Sequence, residues 1–182
     1  MTTLLRIDTS LRLDGSYSRE LTQDYQDKWL TRNPEGKVIY RCLATNPIPH
    51  LTQPEYERFY TQLGETNSRS DQLIQELLLA TEIVIGAPLY NMCIPSTLKA
   101  YIDHIVRSGA TFDWADGAMV GRLQGKKLTL CISRGSCEPE DGYKIDYSTE
   151  YLKAVFGSIG IFDVVRIAYT KTVTETPKLI RG

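Results

Sequence analysis

Ile83-Val84-Ile85 is an unbroken β-branched run, and through Gly86 it enters Ala87-Pro88-Leu89-Tyr90-Asn91-Met92-Cys93-Ile94-Pro95. A strand buried on both faces carries such a continuous run, without polar alternation. Pro95 suits the first position of a helix. Leu98, Ile102 and Ile105 then recur at helical spacing. This stretch therefore reads as a central strand, a stiff loop and a helix.

The same unit repeats on either side. Thr3–Asp8 is a compact apolar run ending in a polar loop, a first strand. Leu21, Tyr25 and Trp29 form the stripe of the helix after it, which Asn33-Pro34 ends. Val38–Leu43 is a second strand. Asn46–Gly64 contains three prolines and reads as an excursion with one short helix. Leu73, Ile74, Leu77 and Leu78 mark the helix before Ile83. Leu128–Ile132 is a fourth strand, Tyr151, Leu152 and Val155 lie in a helix, and Val164–Ala168 is a fifth strand. Strands alternating with helices imply an α/β protein with a doubly wound parallel sheet. The expected order is 2-1-3-4-5, in one domain over 1–182, with ligands bound beyond the carboxyl ends of strands one, three and four. A closing helix is expected to be short or missing, because Thr170–Gly182 contains Pro177 and lacks a helical stripe.

Composition narrows the function. The 182 residues are 42% apolar and 24% charged, with a formal net charge of −1. No broad basic field exists to hold a nucleic acid or an anionic membrane. Arg6 and Asp8 interrupt the first apolar run, which argues against a secretory segment there. The longest uncharged stretch, Ile83–Leu98, is too short to span a bilayer. Cys42, Cys93, Cys131 and Cys137 form no Cys-x-x-Cys, and with His50 and His104 they show no zinc spacing. Reduced thiols, a cytoplasmic location and no metal are the expectation.

Three loops then carry the chemistry. Asp8–Ser18 has neither Gly-x-Gly-x-x-Gly nor a Walker A lysine. It offers the hydroxyls of Ser10, Ser16 and Ser18 beside free helix N–H groups, which suit an anion; taken alone, Ser16 reads more simply as an N-cap. Pro88, Leu89, Tyr90, Asn91 and Met92 give flat or soft apolar surface with one amide, suited to a planar heterocycle, although the same residues also make an ordinary loop. Ser133-Arg134-Gly135-Ser136 lets backbone approach a ligand, with Arg134 available to an anionic ring; alone it is also a surface turn. With only two histidines, neither in a candidate loop, no Ser-His-Asp or Cys-His set is available. His104 reads as a helix-surface or interface residue.

These residues, with Asn46-Pro47-Ile48-Pro49, Leu98-Lys99-Ala100-Tyr101-Ile102-Asp103 and Gly109-Ala110-Thr111-Phe112, resemble the FMN-dependent NADH-azoreductase and quinone reductase family of the flavodoxin-like fold, from about Leu4 to Tyr169. The resemblance implies that Ser10, Ser16, Tyr17 and Ser18 hold the FMN phosphate. It implies that Leu89, Tyr90, Asn91 and Met92 flank the isoalloxazine, and that Ser133, Arg134, Gly135 and Ser136 approach its other edge. It also implies a homodimer with active sites at the interface, with Phe112 and Trp114 roofing a pocket, the chain's own or its partner's. NADH or NADPH would give hydride to the flavin, and a quinone or azo compound would then take its place. A second glycine of many relatives is replaced here by Ser136, and Cys137 puts a thiol beside it. Two other readings stand beside this one: a flavodoxin-type electron carrier, and a family member that binds flavin without turnover.

Overall fold

The computed structural model describes residues 2–61, 68–134 and 147–170. The chain runs β1 (Thr3–Asp8), α1 (Tyr17–Arg32), β2 (Lys37–Cys42), α2 (Gln53–Thr61), α3 (Arg69–Leu79), β3 (Glu82–Pro88), α4 (Ser96–Ile105), β4 (Phe112–Ala115), β5 (Ala118–Gly121), β6 (Lys127–Arg134), α5 (Tyr147–Ser158) and β7 (Asp163–Thr170). Five strands form a parallel sheet in the order β2-β1-β3-β6-β7. Numbering only those five gives 2-1-3-4-5, as the sequence predicts.

β1 matches its expected bounds, and the Ile83–Ile85 strand extends to Glu82–Pro88. Two local differences have clear causes. Pro95 (φ −57°, ψ 143°) is the N-cap of α4, and the helix begins at Ser96. A hairpin, β4-β5, lies between α4 and β6, which the sequence reading did not contain. Its turn is Asp116-Gly117, both at positive φ (51° and 77°), the two-residue pattern that matches strand twist. The tail after β7, where the closing helix was expected to be short or missing, lies outside the described residues.

Alternation along β1 divides its side chains between two faces. Leu5 and Ile7 join Ile83, Ile85, Leu128, Leu130 and Ile132 in the larger core, together with Leu73, Leu77, Leu98, Tyr101, Leu152 and Phe156 from α3, α4 and α5. Leu4, Val84 and Cys131 face the other way, against Trp29, Leu21 and Tyr25 of α1. Arg6 and Asp8 share this second face, and both are buried.

The approach of α1 to the sheet depends on Gly86. A Cβ there would lie 2.9 Å from the Ser18 carbonyl oxygen and 2.9 Å from Thr22 Cγ2. Glycine at this point of β3 lets the first turn of α1 rest on the strand. Gly86→Ala is expected to cost about 1–3 kcal/mol of stability through overpacking, read as a lowered urea midpoint with an unchanged slope.

Candidate functional site

The carboxyl ends of β1, β3 and β6 are neighbours, and their loops are joined by specific bonds. Thr9 is fully buried, and its N–H (3.1 Å) and hydroxyl (2.8 Å) both donate to the Gly86 carbonyl. The Leu89 N–H donates to the Ser133 carbonyl at 2.8 Å, one residue beyond the paired Pro88 and Ser133. Pro88 is therefore the last residue of β3, paired with β6 after the pairing with β1 has ended at Gly86, and Leu89 begins the loop.

Tyr90 connects the first loop to the second. Its hydroxyl accepts from the Leu11 N–H at 3.2 Å and lies 3.4 Å from Ser10 Oγ. Ser10 Oγ also accepts from the Arg12 N–H at 3.2 Å. A phenol that has accepted one bond can donate its proton to Ser10. Ser10 then uses both lone pairs inside the protein and keeps its own proton for a ligand.

Ser16 occupies the N-cap position of α1, but its side chain makes no cap bond. Its hydroxyl instead lies 3.3 Å from that of Ser18, while its carbonyl accepts from the N–H groups of Arg19 and Glu20 at 3.0 Å each. Three nearly buried hydroxyls, Ser10, Ser16 and Ser18, thus lie in the segment that starts α1, where the first N–H groups have no intrahelical acceptor. Tyr17 stacks on Tyr169 of β7, with ring centroids 4.1 Å apart and planes at 20°. The donor set and its place at a helix N-terminus fit a phosphate.

The second loop is a tight turn. The Tyr90 N–H donates to the Cys93 carbonyl, the Cys93 N–H donates to the Tyr90 carbonyl, both at 3.0 Å, and Asn91 (φ 49°) and Met92 (φ 66°) sit in the left-handed region between them. Asparagine tolerates that conformation; methionine at such an angle stores strain of roughly 1–2 kcal/mol. The turn leaves both side chains exposed, with Leu11 and Leu13 exposed on the first loop. Ser133 is nearly buried. The Arg134 guanidinium forms no ion pair with the described residues. Gly135, Ser136 and Cys137 lie outside those residues.

One expectation changes. His104 is not on the helix surface: it is 2% exposed, its Nε2 lies 3.1 Å from the Pro49 carbonyl oxygen, and Phe59 packs edge-on against its ring. The excursion before α3 covers the face that α4 would otherwise expose. Phe112 and Trp114, expected to roof the chain's own pocket or its partner's, lie on the hairpin with their rings 6.1 Å apart and edge-to-face. The hairpin is rooted where strands begin: Leu123 N–H donates to the Ile159 carbonyl at 2.9 Å, and a Cβ on Gly121 would meet Gly160 N at 2.0 Å. No hydrogen bond or ring contact among the described residues joins Phe112 or Trp114 to the loops.

Behind the first loop lies a polar cluster that no sequence motif marks. Asp8 accepts from Arg6 Nη2 (2.8 Å), Thr22 Oγ1 (2.6 Å), Tyr40 Oη (3.2 Å) and Arg19 Nη1 (3.4 Å). The available signal was opposite charges at Arg6 and Asp8, two residues apart on one face of a buried strand. Cys42, at the end of β2, lies 3.2 Å from Arg19 Nη2. Burial alone would raise its thiol, but bonds from the Thr45 hydroxyl, from Arg19 and from the N–H groups of Thr45 and Ala44 outweigh it and lower the pKa to about 7. Among the described residues no helix is long and apolar enough to cross a membrane, and no group of His, Cys, Asp and Glu could hold a metal ion.

Residues 2–180 match the family model described as "Flavodoxin-like fold". The FMN-dependent NADH:quinone oxidoreductase of Herminiimonas arsenicoxydans is 38% identical over 175 residues, covering 92% of this chain and 86% of the relative. That of Legionella pneumophila is 39% identical over 172 residues, covering 90% and 84%. Among solved structures, an azoreductase from Bacillus anthracis superposes with a TM-score of 0.82 at 22% identity, covering 93% of this chain and 87% of the other. An FMN-dependent NADH-azoreductase from the same species, in complex with FMN, gives 0.79 at 24% identity, covering 97% and 91%. At these identities the structures show a shared fold.

Because the Cys42 thiolate is the reactive form, its alkylation rate is expected to rise through a midpoint near pH 7 and level off above it. Peptide-resolved mass spectrometry after iodoacetamide pulses checks this. A midpoint at the ordinary thiol value would show that Arg19 and Thr45 do not stabilise the anion.

Proposed function

The chain belongs to the flavodoxin-like family and, within it, to the FMN-dependent NADH:quinone oxidoreductases, and from that premise we propose that it binds FMN across the three loops and reduces quinones and azo compounds with NADH or NADPH. One observation carries the assignment to these loops. A buried hydroxyl cluster at a helix N-terminus is tied through Tyr90 to a strained, exposed turn, and through Leu89 to the tip of the next strand.

In this reading Ser10, Ser16, Tyr17 and Ser18 hold the phosphate, with hydroxyl and amide donors in place of a lysine. Pro88, Leu89, Tyr90, Asn91 and Met92 carry the ring on one side. Ser133, Arg134, Gly135 and Ser136 meet its other edge, and the guanidinium of Arg134, which has no ion-pair partner among the described residues, opposes negative charge there. FMN, when bound, supplies hydride transfer, received from the nicotinamide and passed to the acceptor in two half-reactions. One stacked position serving both substrates in turn makes the kinetics ping-pong, because reacting atoms must approach to about 3–3.5 Å.

The enzyme acts as a homodimer in the cytoplasm, with each active site completed across the interface. The hairpin supports this part. Trp114 is 64% exposed, and Met119 and Val120 beside it are exposed as well. Their root at the opposite end of the sheet favours the partner's pocket over the chain's own.

Adding FMN to the purified protein and titrating anaerobically with NADH is expected to bleach the flavin band, and a soluble quinone should restore it. Initial rates at several quinone concentrations should give parallel double-reciprocal lines. A bound flavin that neither NADH nor NADPH bleaches would exclude the oxidoreductase reading and leave a flavin-binding protein without turnover. Reduction without quinone turnover would favour an electron carrier.

Asn91→Gly retains the left-handed turn and removes only the amide. It is expected to weaken FMN binding or shift the bound flavin's potential, measured by fluorescence titration and by dye equilibration. If both stay at wild-type values, Asn91 does not touch the ring.

A further inference from the structure

We infer that Arg19 is a positioning residue for the phosphate-binding loop: its planar fork grips the carbonyls of Ser10 and Arg12 from behind and sets where the loop presents its donors. This rests on the reading of Ser10–Ser18 as the phosphate site.

Arg19 is the third residue of α1, where the helix field disfavours a cation. It is mostly buried, and every donor it owns is used. Nε donates to the Arg12 carbonyl at 3.0 Å, and Nη2 donates to the Ser10 carbonyl at 2.7 Å and to Cys42 Sγ at 3.2 Å. Nη1 donates to Asp8 Oδ2 at 3.4 Å and to Tyr40 Oη at 3.3 Å. The carboxylate that offsets its charge has no exposed surface. A guanidinium kept at an unfavourable helix position, with its fork on two carbonyls of one loop, is a clamp on that loop.

The clamp acts through peptide geometry. In a trans peptide the C=O and N–H point in opposite directions. Holding the Ser10 carbonyl toward Arg19 turns the Leu11 N–H away, and the Leu11 N–H is found on the Tyr90 hydroxyl. Holding the Arg12 carbonyl in the same way turns the Leu13 N–H away from the guanidinium. The loop between Leu11 and Gly15 is exposed and has few other restraints. Its remaining internal bond, from the Arg12 N–H to Ser10 Oγ, comes from the peptide that lies between those two. Arg19 therefore orders Ser10 and its neighbours before the phosphate arrives, which raises affinity by removing part of the ordering cost of binding. A lysine can balance Asp8 but cannot reach two carbonyls in one plane.

The test compares FMN with riboflavin, which lacks only the phosphate, by flavin-fluorescence titration of wild type, Arg19→Ala and Arg19→Lys. Wild type should prefer FMN. In both variants FMN affinity should fall by about tenfold or more, with riboflavin affinity held within about twofold, since only the phosphate's preorganised donors are lost. Millimolar guanidinium chloride should restore part of the FMN affinity of Arg19→Ala, and equal sodium chloride should not. Arg19→Lys keeps a cation near Asp8, so it carries the test even where Arg19→Ala fails to fold. An unchanged FMN preference in the variants, equal loss of both ligands, or full recovery by lysine overturns the clamp. A wild type that binds both flavins equally overturns the phosphate site itself, and the clamp with it.

Discussion

A carboxylate with no exposed surface organises one end of this molecule. Asp8 ends the first strand on the face covered by α1, where it meets Arg6, Arg19, Thr22 and Tyr40. A buried charge of this kind is tolerated only when opposite charge and hydrogen bonds replace its water. Removing one partner from such a pair costs about 3–5 kcal/mol, because the other charge is left stranded. The requirement to satisfy Asp8 therefore fixes where β1, the first turn of α1 and the end of β2 must meet. The loop between β1 and α1 has little freedom left once its two ends are held in this way.

The neighbouring strand adds the second constraint. Gly86 has no side chain to keep α1 off β3, so Ser18 and Thr22 lie directly on the sheet. Thr9 bonds to the Gly86 carbonyl, and Leu89 bonds to Ser133. Three strand tips that are far apart in sequence become one surface. Its parts have complementary character: hydroxyl and amide donors at the helix start, soft apolar side chains at the turn, and a cation at the third tip. A ligand with an anionic end and a flat ring matches that division without any side chain acting as a nucleophile.

Much of this was legible in the residues. The continuous β-branched run at Ile83–Ile85 identified a doubly buried strand, because a strand with a wet face would have alternated. The stripe through Leu21, Tyr25 and Trp29 identified the helix against it. Asn33-Pro34 marked its end within a residue, since the position before proline is pushed out of the helical region. The hairpin was also signalled, by Asp116-Gly117, but its four-residue strands are too short for periodicity to register. His104 went the other way. Its neighbours Leu98, Ile102 and Ile105 define an apolar stripe, and His104 lies off it, yet Pro49 and Phe59 cover that side.

By itself the sequence determined the alternation of strands and helices, the order of the sheet and which three loops follow its neighbouring strands, because these follow from local spacing and from the rules of parallel crossovers. Tertiary structure alone decided which polar groups are spent inside the protein and which remain for a ligand. Ser16 was free to be a cap, Tyr90 a loop aromatic and Arg19 a surface cation. The Ser16 hydroxyl turns to Ser18 instead of capping, and only the meeting of separate segments places Tyr90 on Ser10 and holds Arg19 between its own loop and the end of β2. Hydrogen-bond partnership across tens of residues has no periodicity, so no local pattern could have announced it.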